Sequence, residues 1–133
     1  MAWRFPDKYR DEGLLLLRIG IGVMFVVHGL PKLIGGPARW EQVGRAMVYL
    51  GVDFLPTFWG FCAATTETVG GLFLLLGLFF RPACLLLAFT MTVAANMHFG
   101  RGDGLLGASH AIESCILFLS LFLIGPGSYR LRK

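Results

Sequence analysis

Residues 13–30, GLLLLRIGIGVMFVVHGL, decide how the rest of the chain is read. Wound into an α-helix, a stretch of this length reaches roughly 27 Å, close to the hydrocarbon thickness of a bilayer. Only Arg18 and His28 within it resist burial in lipid. Three further apolar stretches follow, at 56–80, 83–99 and 105–124. The expected fold is therefore all-α: a four-helix transmembrane bundle in one integral membrane domain spanning 1–133.

Composition points the same way. The chain has 133 residues, is 56% hydrophobic and only 15% charged, with a mean hydropathy of +0.68. A soluble domain of this size could not keep so much apolar surface from water. Four spans and their connections use nearly the whole chain, leaving no room for a soluble domain. The net charge of +4 is scattered over loops and ends and forms no stripe, so no nucleic-acid partner is expected. In a membrane protein those charges report orientation instead. Arg4, Lys8, Arg10, Arg81, Arg130, Arg132 and Lys133 make seven on the side of the termini, against four (Lys32, Arg39, Arg45 and Arg101) on the other. This excess predicts both termini in the cytoplasm of a bacterial-type inner membrane. Arg18 interrupts the first apolar stretch and no small-x-small site follows, so that stretch reads as a retained helix rather than a signal peptide.

The connections carry their own signals. Residues 1–12 are polar but hold Trp3, Phe5 and Tyr9, an interfacial lead-in. Helix one is expected to end near Pro31-Lys32, with Gly35-Gly36-Pro37 breaking the chain again. Within 38–55, Trp40, Val43, Met47 and Leu50 recur at helical spacing, while Arg39, Glu41, Gln42 and Arg45 lie between. That pattern predicts a short amphipathic helix in the first loop, lying in the interface or folding over the bundle mouth. Arg81-Pro82 is read as the tight turn between the second and third spans. The glycines of 100–104 are turn chemistry and not a phosphate cradle, because no strand precedes them.

The chemistry rests on a few polar side chains in apolar surroundings. A central Arg, Lys or Glu in hydrocarbon costs about 3 kcal/mol or more, so such groups face a bundle interior or a wet cavity. On helix one, Arg18, Gly22, Phe25, Gly29 and Lys32 share one stripe, with His28 on its shoulder. On helix two, Glu67, Gly70, Gly71, Leu74 and Gly77 make another, and Thr65, Thr66 and Thr68 lie beside it. Gly22, Gly29, Gly70 and Gly71 permit close helix packing. Arg18 is the natural bidentate partner for Glu67. Ser109, His110, Glu113 and Ser114 lie within a turn of helix four, while helix three adds Thr92, Asn96 and His98. A lone His110/Glu113 pair lacks the second His-and-Glu motif of a di-iron bundle. Two of the three histidines could hold a b-type haem, but no metal site is expected. Cys62, Cys84 and Cys115 form no C-x-x-C pair and read as packing residues.

Two readings of these residues follow. In one, Arg18, Glu67 and Glu113 form an internal ion-pair network that fixes helix register. In the other, Arg18, His28, Lys32, Glu67, His110 and Glu113 line a polar pocket open towards the 31–55 loop. A quinone suits such a pocket, its ring stacking on an aromatic such as Phe25 and its carbonyls accepting hydrogen bonds.

Taken together, these residues resemble the DoxX family of small four-helix membrane proteins. The likeness lies in Leu17-Arg18-Ile19-Gly20-Ile21-Gly22, in Phe25, and in His28-Gly29-Leu30-Pro31-Lys32-Leu33. It continues through Glu67, Gly70-Gly71-Leu72 and Leu74-Leu75-Leu76-Gly77-Leu78, and covers nearly the whole chain. It implies the pattern residues Arg18, Gly22, Gly29, Lys32, Glu67, Gly70 and Gly71, and a membrane subunit linked to redox metabolism. Related DoxD-type subunits belong to a thiosulfate:quinone oxidoreductase, and some DoxX proteins accompany thiol-handling enzymes. No cysteine pair supports thiol exchange by this chain itself. The alternatives are an anchoring subunit, docking soluble or membrane redox partners through loop 31–55 and the basic tail, and a small transporter. A homo-oligomer would be needed for a pore.

Overall fold

Each apolar stretch folds as a helix because lipid offers its backbone no hydrogen-bond partners, and a helix satisfies them within itself. The computed structural model describes residues 9–130. Trp3, Phe5, Arg4 and Lys8 of the lead-in, and Arg132 and Lys133 of the tail, lie outside the described residues. The elements are α1 (Arg10–Ile34), α2 (Pro37–Gly44) with a 3₁₀ extension (Arg45–Leu50), α3 (Pro56–Leu76), α4 (Phe80–Gly100) and α5 (Gly104–Ile124). The four helices α1, α3, α4 and α5 are long and apolar enough to cross a membrane. No strand occurs among the described residues.

Several boundaries differ from the sequence expectation. α1 runs through Pro31 to Ile34. A proline loses one backbone bond, and transmembrane helices tolerate that loss where neighbours compensate. The turn between the second and third spans is at 77–79, not at Arg81-Pro82. Gly77 takes φ +69°, its N–H bonds Leu74 O at 3.2 Å, and Leu78 N–H bonds Phe73 O at 2.9 Å. This is the double closure of a helix C-terminus that a glycine permits. Pro82 then falls in the first turn of α4, where the missing N–H has no helical partner to lose.

α1 packs antiparallel on α3, and α4 on α5. Small residues set the first of these contacts. A Cβ on Gly22 would lie 2.6 Å from Gly71 O, and one on Gly29 would lie 2.7 Å from the Glu67 Cβ. Phe25 and Phe118 meet edge to face at 5.0 Å in the centre, over Leu74, Leu87, Met91 and Leu121. α2 crosses α3 where two glycines coincide: a Cβ on Gly60 would lie 1.5 Å from Trp40 O, and one on Gly44 1.7 Å from Pro56 O. The Trp40 indole also donates to Leu33 O at 3.1 Å and packs edge to face on Phe61. The amphipathic segment is thereby held against the bundle end that carries the 35–55 loop, here called the loop side.

Candidate functional site

The six polar residues singled out in the sequence fall into three separate places. Arg18, the first, is buried, with 1% of its surface exposed, on the side of the chain termini. Its partner is not Glu67. Nε donates to Leu74 O at 2.9 Å and Nη2 to Leu75 O at 3.0 Å, while Nη1 donates to Pro126 O at 3.2 Å and to Tyr129 O. The reason is register. In antiparallel α1 and α3, Arg18 stands opposite the end of α3, and Glu67 stands roughly 16 Å away along the helix axis, beside Gly29 and within reach of Lys32. The guanidinium therefore caps the C-terminal carbonyls of α3, where the helix dipole favours a cation, and ties the C-terminal tail to them.

Around that knot the tail is clamped to the start of α1. Ser128 donates through N–H and Oγ to the Asp11 carboxylate, at 3.2 and 2.5 Å, and Tyr129 donates to Glu12 at 2.9 Å. The hydrogen bond to Glu12 and its negative charge push the Tyr129 phenol above its ordinary pKa. Arg81 joins in by donating to Phe122 O at 3.0 Å.

The second place is the Lys32–Glu67 ion pair. Lys32 Nζ lies 3.1 and 3.3 Å from the two Glu67 oxygens, and Glu67 is 5% exposed. The pair forms part of the wall of a cavity of about 630 Å³ between α2, α3 and α4. α3 contributes Trp59, Cys62, Ala63, Thr66 and Glu67, a single face at helical spacing. α4 contributes Leu86, Phe89, Thr90, Val93 and Met97, and Arg101 follows at its C-terminal cap. α2 and its extension cover the loop side with Arg39, Gln42, Val43 and Met47. Leu86 and Phe89 are exposed on the outer surface of α4, so one edge of the cavity meets the lipid-facing surface. The α3–α4 interface closes beyond it, where a Cβ on Gly70 would lie 3.1 Å from Leu87. The walls are mostly apolar, and the charges are few: Lys32, Arg39 and Arg101 against Glu67.

The third place is the outer surface of α1 and α5. His28, His110 and Glu113 are all exposed there, and the His28 and His110 rings stand 6.3 Å apart. His28 Nδ1 is 2.7 Å from Met24 O of its own helix. Glu113 meets neither Arg18 nor Glu67, so no three-residue network of these groups exists. His98, the remaining histidine, pairs with Asp103 at 2.8 Å in the α4–α5 turn. Among the described residues no group of three His, Cys, Asp or Glu side chains could hold a metal ion.

Sequence reasoning missed most of the cavity wall. Trp59, Cys62, Thr90 and Met97 read as ordinary residues of an apolar helix, and only the spacing of Thr66 and Glu67 marked that side of α3. The Gly44 and Gly60 pair that seats α2 was also passed over, although a glycine on each of two neighbouring helices is a signal for close crossing.

Four spanning helices, an interfacial helix over one bundle end and an intramembrane ion pair define an integral membrane protein of the small four-helix class. The chain belongs to the DoxX family, whose model matches residues 13–100. An uncharacterized protein of Haemophilus influenzae is 30% identical over 132 residues, covering 92% of this chain and 90% of that one. The Escherichia coli protein named "Inner membrane protein YphA" is 26% identical, over 95% and 96% of the two chains. The Bacillus subtilis protein named "Putative oxidoreductase CatD" is 34% identical over 64% of this chain and 58% of its own length. No solved structure matches.

Proposed function

We propose that this protein is an inner-membrane subunit linked to redox metabolism that holds the head group of a quinone, or of a chemically similar amphiphile, under α2. The observation that carries this reading is the cavity itself: apolar walls, one edge at the lipid-facing surface, and a hydrogen-bonded Lys32–Glu67 pair in its lining. A quinone needs all three features. Its ring and tail leave the bilayer for an apolar slot, and its carbonyl oxygen accepts from a cationic donor such as Lys32 Nζ. Reduction to the quinol takes up two protons along with two electrons. In the pair the proton is carried by the Lys32 ammonium, which passes it to the reduced oxygen; Glu67 relays its replacement from water, and water supplies the second proton. Electrons come from a partner redox subunit in this reading, which the oxidoreductase name of the CatD relative supports. Both termini then face the cytoplasm, following the excess of basic residues on that side.

Trp59 lines the cavity and supplies the test. Titrating a short-tailed quinone into the protein in lipid vesicles should quench tryptophan fluorescence saturably. The quench should shrink in Trp59→Phe and shift to at least tenfold higher concentration in Lys32→Met or Glu67→Gln. Linear, unsaturable quenching that none of these variants changes would contradict the reading.

A further inference from the structure

The outer surface of α5 carries an ionisable group where hydrocarbon should be. Glu113 is the tenth residue of the 21-residue α5, near mid-membrane, and it is exposed. Among the described residues nothing hydrogen-bonds to its carboxylate or to the His110 ring. Leu106, His110, Glu113, Leu117, Ser120 and Ile124 follow one another at steps of four and three along the helix. All are exposed but Leu117, which is half-buried; Leu106 reaches 89%. This spacing is the seam of a helix that pairs with another helix at a shallow angle. Among the described residues it has no partner. His28 of α1 stands beside the seam, its ring 6.3 Å from that of His110.

We infer that this seam is the contact surface for a second copy of the same chain, related by a twofold axis along the membrane normal. Charge complementarity selects that occupant. The seam holds a carboxylate and, one turn away, two imidazoles, so it is complementary to itself. Copies inserted in the same direction place their α5 helices parallel. A residue of a parallel seam packs against its counterpart and against the position three residues on. His110 of each copy then meets Glu113 of the other, and the carboxylates leave lipid for a hydrogen-bonded interface. The cavity under α2 lies between α2, α3 and α4, so this inference stands independently of the quinone reading.

The test is self-association of the full chain in dilute lipid vesicles, read by energy transfer between donor- and acceptor-labelled copies. Glu113→Leu should weaken association about tenfold or more, the scale of a lost polar contact between membrane helices. Its far-ultraviolet circular dichroism should stay unchanged, because leucine suits a lipid face. His110→Leu reads the same contact from its other end. In a background lacking Cys62, Cys84 and Cys115, a cysteine introduced by Leu106→Cys should trap a disulfide-linked dimer. One introduced by Leu85→Cys, on the exposed face of α4, should not. A wild-type chain that stays monomeric overturns the inference and leaves the seam to another protein or to lipid. Association that Glu113→Leu and His110→Leu leave unchanged, or trapping at position 85 in place of 106, overturns it equally.

Discussion

At the residue scale, the two most buried charges do different work. Arg18 donates four hydrogen bonds, all to backbone carbonyls, and joins the end of α3 to the tail. Lysine cannot reproduce the guanidinium fork that makes those bonds. Arg18→Lys should therefore lower the thermal midpoint in detergent, by an amount equivalent to about 2–4 kcal/mol, since hydrogen bonds from a charged group contribute roughly 1.5–3 kcal/mol each and some survive. The folded fraction should still bind quinone as wild type does. Lys32 and Glu67 invert this pattern. Each single removal leaves a charge without its partner in a low-dielectric site, while removing both can be neutral for stability. Lys32→Met with Glu67→Leu should melt within a few degrees of wild type and yet bind no quinone. A double variant that both melts normally and binds normally would make the pair a packing device only.

At the element scale, the position of α2 decides whether there is a cavity at all. Its crossing with α3 depends on Gly44 and Gly60, where no Cβ fits. Gly60→Ala should push α2 off the bundle and expose Cys62, which faces the cavity. Maleimide labelling of Cys62 should then run several-fold faster than in wild type. Gly20→Ala, with open space around it, should leave the rate unchanged. The helices themselves were legible in the sequence, because a run of apolar residues near 20 long has one common solution in lipid. The amphipathic segment was legible from Trp40, Val43 and Met47 for the same kind of reason. The turn between α3 and α4 was not. Arg81-Pro82 is a strong local turn signal, but the glycine five residues earlier ends α3 first, and the proline fits the first turn of the next helix.

At the scale of the whole molecule, periodicity said which residues share a face and did not say which faces meet. Arg18 and Glu67 lie on inward stripes of neighbouring helices, yet antiparallel packing separates them by roughly half the membrane. The same register brings Lys32 to Glu67, because Gly29 packs on Glu67 and Lys32 lies about one turn further along α1. Glu113 went the other way, to the outer surface, because α5 turns its small residues Ala108, Ala111 and Ser114 inward instead. The molecule that results has a tied end, with Arg18, Asp11 and Glu12 holding the tail, and a loop side where α2 roofs the cavity. In the proposed reading, ligand enters at the second. The most direct check is to purify wild type and Glu67→Gln in parallel from native membranes and to extract and identify bound small molecules by mass spectrometry. The account predicts quinone in near-stoichiometric amount with the wild type and its loss from the folded fraction of the variant. Wild-type protein that carries no quinone, or a variant that retains as much, would contradict it.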